Sequence, residues 1–174
     1  KIVVSRIGDT SGTYQKLLIS MIQGKRNENP YPNTNKMNKA VEEIKNAEKN
    51  MKESIFVKYF GSSSYSELCT ICYLYERTYN EPFLNYVKKE FSKDTKNLFI
   101  SLMDYITDSG SYFAKIINKF NHKDLNRIFV SRSEVDMDSI RKAYKELYQV
   151  ELIEDIQAKT KDDYQKALLI LAQK

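Results

Sequence analysis

Apolar residues recur at three- and four-residue spacing along nearly the whole chain. Tyr14, Leu17, Leu18, Met21 and Ile22 form the first such stripe, and Met37, Ala40, Val41 and Ile44 the second. Ile55, Phe56, Tyr59 and Phe60 follow, then Leu68, Ile71, Cys72 and Tyr75, then the short set Phe83, Leu84 and Val87, and then Leu98, Leu102, Met103 and Ile106. The second half repeats the pattern through Phe113, Ile116 and Ile117, through Leu125, Ile128 and Phe129, and through Met137, Ile140, Tyr144 and Leu147. It ends with Leu152, Ile153 and Ile156 and with Tyr164, Leu168, Leu169 and Leu171. This is the 3.6-residue period of amphipathic helices. No run alternates with period two for long enough to form a strand, so the spacing predicts an all-α fold.

Polar residues punctuate these stripes. Asp9-Thr10-Ser11-Gly12 can cap the first helix. Ser133-Glu134-Val135-Asp136 sets an acid three residues after a serine, which predicts a capping box there. Lys161-Asp162-Asp163 places acids at the positive end of the last helix. The stretch Gln23–Asn35, with Gly24, Pro30 and Pro32, is the best linker, and Asp108-Ser109-Gly110-Ser111 marks a second break.

Beyond the stripes lies an internal repeat. Lys58-Tyr59-Phe60-Gly61-Ser62-Ser63-Ser64 aligns with Arg127-Ile128-Phe129-Val130-Ser131-Arg132-Ser133 at an offset of 69 residues. Leu68, Ile71, Tyr75, Tyr79, Phe83, Leu84 and Val87 fall on Met137, Ile140, Tyr144, Tyr148, Leu152, Ile153 and Ile156 at the same offset. The register then slips by three residues, because Asn97-Leu98 matches Asp163-Tyr164. The chain therefore divides into residues 1–24, the last helix of a preceding repeat, a linker over 25–35, and two five-helix repeats over 36–107 and 108–174. Such arrays bury their faces against neighbours, so the segment is expected to be half of a larger folded unit.

Val130-Ser131-Arg132-Ser133-Glu134-Val135-Asp136, with Ile140-Arg141-Lys142 and Asp163-Tyr164-Gln165-Lys166-Ala167-Leu168-Leu169, resembles the fourth repeat of an annexin. Gly8-Asp9-Thr10-Ser11-Gly12 with Tyr14 resembles the end of the second. The resemblance extends over essentially the whole chain and is looser in the middle copy; divergent alpha-giardin-like annexins share that looseness. It implies annexin-like repeats of five helices in a right-handed superhelical arrangement. It also implies Ca²⁺ as cofactor and an anionic phospholipid surface as partner. Annexins offer loop carbonyls from a Gly-x-Gly-Thr sequence and a carboxylate before the fifth helix, a set of hard oxygens suited to Ca²⁺.

The sequence departs from that pattern. The first full copy has Glu48-Lys49-Asn50-Met51-Lys52-Glu53 in the loop, and the second has Lys119-Phe120-Asn121, shorter and again without glycine. Phe120 is expected to be ill-suited to the positive φ that a glycine takes, and its ring to fill space the family leaves open. The acid position of the second copy is Lys159. That of the first is Glu90 counted from the helix before, or Lys93 with Asp94 adjacent counted from the helix after. Asp9 matches the acidic ligand cleanly, but its partner loop lies upstream of Lys1. The metal candidates are thus Asp9 and one of Glu90 or Asp94. Lys49 and Lys52 are candidate lipid-facing bases, and Arg127, Arg132 and Asp136 resemble the polar network at the centre of the annexin disc. With no tryptophan present, lipid contact by the first loop should be electrostatic.

Composition adds exclusions. A net charge of +5 over 174 residues permits an anionic partner without demanding one. Basic and acidic residues are interleaved, so nucleic acid is not expected as a partner. No apolar run approaches the roughly 20 residues of a membrane span. Cys69 and Cys72 form a CxxC inside a helical stripe, which favours packing over redox use, and a reducing compartment. His122, the single histidine, falls in a short polar loop with no ligand partner near it in sequence. No phosphate loop, nucleophile elbow or HExxH is present, so a binding protein rather than an enzyme is expected. The expected function is that of a cytoplasmic protein, peripheral on membrane or cytoskeleton, its Ca²⁺ bound mainly by the N-terminal half of the same protein. The alternative is a Ca²⁺-independent structural scaffold of giardin type that acts on a cytoskeletal protein.

Overall fold

The computed structural model describes residues 10–91 and 93–173; the Asp9 position lies outside them. Among these residues there are eleven helices and no strand. They are α1 (Gly12–Ile22), α2 (Thr34–Asn46), α3 (Lys52–Ser62), α4 (Tyr65–Tyr79), α5 (Phe83–Glu90) and α6 (Lys93–Thr107), then α7 (Ser109–Ile117), α8 (His122–Arg132), α9 (Met137–Tyr148), α10 (Leu152–Lys159) and α11 (Asp162–Ala172). The chain separates into two compact units, 1–106 and 107–174, each with its own core.

In the first unit α1 packs on α3, and α2 on α3 and α4. The stripe of α2 is buried entire: Met37, Ala40, Val41 and Ile44 are all 2% exposed or less. The stripe of α1 behaves differently. Leu17 is buried, while Tyr14, Met21 and Ile22 are exposed together with Ile19. The approach of α1 to α3 is close at Gly61, where a Cβ would collide with the Ser20 side chain. Rings fill this core. Phe56 is fully buried and lies 5.4 Å from Phe60, 4.5 Å from Phe91 and 4.9 Å from Phe99, centroid to centroid. Such pairs add about 0.5–1.5 kcal/mol each beyond area burial.

The stretch between α1 and α2 is strapped down. The Arg26 guanidinium donates to the carbonyls of Phe60 and Ser63, and the Asn27 amide to that of Ser62. Asn27 and Asn29 then form successive Asx turns, and Asn33 caps α2 through the Lys36 amide at 3.0 Å. These bonds satisfy the last carbonyls of α3 that a helix terminus leaves open.

In the second unit α7 and α9 pair closely, and α11 lies against α8 and α10. Ala114, Ile117, Leu125, Phe129, Ile140, Tyr144 and Ile156 are fully buried there. Asp108 caps α7. The capping box appears in the first unit instead of at Ser133: Ser64 Oγ accepts from the Glu67 amide, and the Glu67 carboxylate from the Ser64 amide. At the corresponding place in the second unit Asp136 has a shorter side chain and is taken by Arg132. The α9 helix accordingly starts at Met137 with no side-chain cap.

Candidate functional site

In each five-helix repeat the loop after the first helix meets the end of the fourth. In the first unit this is the loop between α2 and α3, facing the last turn of α5. Lys52 stands at the first position of α3, with its ammonium on the Glu90 carboxylate. The two side chains are 18% and 23% exposed. The same ammonium lies 5.8 Å from the centre of the Tyr86 ring. At the other end of the loop Lys45 donates to Tyr75 Oη at 3.1 Å. Its ammonium lies 5.4, 4.9 and 5.4 Å from the centroids of Tyr75, Tyr79 and Tyr86. Ring faces attract such cations, the more so when water is excluded. Tyr86 donates its hydroxyl proton to the Ile44 carbonyl at 2.9 Å, an orphan acceptor in the last turn of α2. Burial, and after it nearby acidic groups, push both the Tyr75 and Tyr86 hydroxyls up to about 12. They therefore stay neutral donors.

In the second unit the charges change places. Lys159, at the end of α10, holds the position of Glu90, and Asp155 one turn earlier holds that of Tyr86. Lys159 Nζ bonds Asp155 Oδ2 at 2.7 Å and lies 4.4 Å from the centre of the Phe120 ring. Asp155 also accepts from the Tyr144 hydroxyl, which sits 3.2 Å from Asn118 Oδ1. Burial first, and then that bond to Asp155, raise the Tyr144 pKa well above its ordinary value. Phe120 takes φ 47°, the left-handed region, against the expectation drawn from its bulk. Its ring is half-buried on the core of the unit and beneath the lysine, contacts that offset a backbone cost of about 1–2 kcal/mol.

These residues do not fit Ca²⁺. The ion takes six to eight oxygens, mostly carboxylate and carbonyl, whereas each loop here meets an ammonium and a single carboxylate. Among the described residues no group of three or more His, Cys, Asp or Glu could hold a metal. Asp94 is exposed in the first turn of α6. Of the two bases assigned to lipid, Lys49 is exposed in its loop, and Lys52 is turned to Glu90.

The remaining candidates separate. Arg132 forms a two-bond pair with Asp136, half-buried, and its guanidinium carbon lies 5.0 Å from the Phe113 ring centre. Arg127 pairs instead with Asp124 at 3.0 Å, its side chain 69% exposed. Cys69 and Cys72 are free thiols on α4. Burial first pushes the Cys72 thiol up to about 12, the opposite of what a redox nucleophile needs. His122 opens α8 with its ring 5.2 Å from that of Tyr164. Sequence spacing does not show the contacts of Lys45 with the tyrosine rings or of Lys52 with Glu90. Their signal was the lysine on each side of a loop whose partner turn carries an acid.

Comparison with known proteins agrees with the repeat pattern. The annexin family model matches residues 114–171. Pig (Sus scrofa) annexin A1 is 31% identical over 172 residues, which cover 94% of this chain and 50% of that protein. The solved structure of annexin III superposes with a TM-score of 0.91 at 24% identity, covering 97% of this chain and 55% of that one. A calcium-bound annexin, (Sm)1, superposes with a TM-score of 0.84 at 22% identity, covering 95% and 51%. The chain thus spans about half the length of annexin A1. With its helix order, its paired loops and these likenesses taken together, the chain belongs to the annexin family.

Proposed function

We propose that this chain is part of a peripheral protein that binds anionic phospholipid surfaces, with Ca²⁺ held by repeats outside residues 36–174. Family membership is the observation that carries this reading. The exposed lysines Lys49 and Lys119, one in each loop, support an electrostatic contact with lipid phosphates. Each well-placed lysine near such a surface contributes about 1 kcal/mol. No helix among the described residues is long and apolar enough to cross a membrane. The role is binding rather than catalysis, on the cytoplasmic face where anionic lipids concentrate, and the N-terminal half of the same protein is the first partner.

Co-sedimentation of the intact protein with phosphatidylserine vesicles, in Ca²⁺ and in chelator, tests the reading. Sedimentation in Ca²⁺ that chelator largely reverses is expected. No sedimentation under either condition would overturn it. A second reading is a Ca²⁺-independent structural scaffold working through protein contacts such as the cytoskeleton. The two loops favour it, since each sets a lysine ammonium and a carboxylate where the family places Ca²⁺.

A further inference from the structure

We propose that Lys52 and Lys159 are tethered cations, standing between loop and turn in place of a bound dication and keeping both loops closed without Ca²⁺. The inference builds on the annexin reading of the two loops and does not depend on lipid binding.

The geometry in the first unit points to this role in three ways. The Lys52 ammonium is on Glu90, the acid position as counted from the helix before it, and both groups are largely withdrawn from water. The Tyr86 ring lies beside the same ammonium, while its hydroxyl ties α5 to the last turn of α2. Lys45 holds the opposite end of the loop against three rings. A dication brought to Glu90 would have to displace an ammonium already attached to the loop by its own chain. Attachment removes the translational cost that a free ion pays on each binding event.

The second unit reaches the same result with the charges exchanged. Its ammonium comes from the turn, at Lys159, and its loop supplies the Phe120 ring in place of a carboxylate. Asp155, one turn back on the same helix, holds the ammonium at 2.7 Å, so the tie to the loop runs through the Phe120 ring and through Tyr144, whose hydroxyl reaches both Asp155 and Asn118 at the start of the loop. Two loops of different length and sequence thus arrive at one device, a lysine cation held between a carboxylate and a ring. A site that had merely lost its metal ligands would need neither lysine in that place.

The test is a thermal-melting comparison on the 174-residue chain and on Lys52→Gln, Glu90→Gln and the double variant, each in Ca²⁺ and in chelator. The unsubstituted chain should melt at the same temperature with about 1 mM Ca²⁺ as without it, a concentration that serves even weak Ca²⁺ modules. Each single variant should melt about 3 °C lower. The double variant should be no worse than the poorer single, because the pair is lost once. Additive losses, or a chain that Ca²⁺ stabilises by a similar shift, would overturn the proposal. Should a variant fail to fold, hydrogen exchange of the amides of residues 48–52 in the unsubstituted chain decides the matter. Equal exchange in Ca²⁺ and chelator is expected, and slowing by Ca²⁺ would contradict it. Neither measurement contains lipid, so failure here and failure of the vesicle experiment are separate results.

Discussion

At positions 69 residues apart, the first unit has Phe56, Phe83, Tyr86 and Phe91 where the second has Leu125, Leu152, Asp155 and Thr160. Phe60 and Phe129, like Tyr75 and Tyr144, are rings shared at that offset, and all four are fully buried. One helical frame is thus filled in two ways, by stacked and edge-on rings in one unit and mainly by aliphatic side chains in the other. The exchange continues to the surface. The aromatic unit places its carboxylate at Glu90 and its ammonium on the loop. The aliphatic unit places its ammonium at Lys159 and its carboxylate one turn back, at Asp155, where the first has a tyrosine. Helix order and packing therefore constrain residue size and polarity at each layer. The charge at the loop is free to change, from the Lys52 ammonium in one unit to the neutral Phe120 ring in the other, provided the facing turn supplies a partner for it.

The largest break in this comparison should come from the cores. Phe56→Ala is expected to cost about 4 kcal/mol, since it removes a ring with five aromatic neighbours, and Leu125→Ala about 3 kcal/mol. Urea titration of the two variants measures both. Equal losses would show that the ring pairs add nothing beyond area.

Next in size is the capping difference. Ser64→Ala should cost about 1 kcal/mol, because it breaks a reciprocal box present in the first unit and absent at Asp136. Glu67 gives this difference a pH dependence. Burial pushes its carboxyl up, but the Ser64 amide, Asn27 and Lys36 outweigh that and hold it below the ordinary value of 4.5. Its folded pKa is the lower one, so its contribution is present above pH 4.5 and is lost as pH falls through the folded value. The urea midpoint should fall with acid over this window, and Glu67→Gln should flatten the slope. An unchanged slope in that variant would remove Glu67 from the account.

The smallest expected effect is a null one. Lys159→Asp alone should leave Ca²⁺ unbound at sub-millimolar concentration, because the new carboxylate and Asp155 still fall short of the six to eight oxygens needed. Restoring a Gly-x-Gly-Thr loop around Phe120 together with Lys159→Asp should be required, with strong non-additivity. Calorimetry on both singles and the combined variant decides it, and micromolar binding by Lys159→Asp would contradict the reading.

The helices were legible because amphipathic spacing reports burial wherever a helix packs on one side. All four stripe residues of α2 lie in the core. In α1 the spacing marked the helix, but among its apolar residues only Leu17 is fully buried within the described chain. The site was partly legible. Lysine at position 159 already argued against Ca²⁺. The Lys52–Glu90 pair was not legible, because its members are 38 residues apart and each carried another plausible role, lipid contact for one and metal for the other. Phe120 shows a different gap. A positive φ in a bulky residue is uncommon, yet a cation over its ring and a core beneath it can offset the strain. Sequence spacing gives no sign of either contact.

Calorimetric Ca²⁺ titration of the unsubstituted 174-residue chain tests most directly whether lysine ammonium groups stand where a dication would. No saturable heat is expected up to about 1 mM Ca²⁺, the weak end of Ca²⁺-binding modules. A saturable one-site or two-site isotherm below that concentration would contradict it, because a dication would then be displacing Lys52 from Glu90 or Lys159 from Asp155.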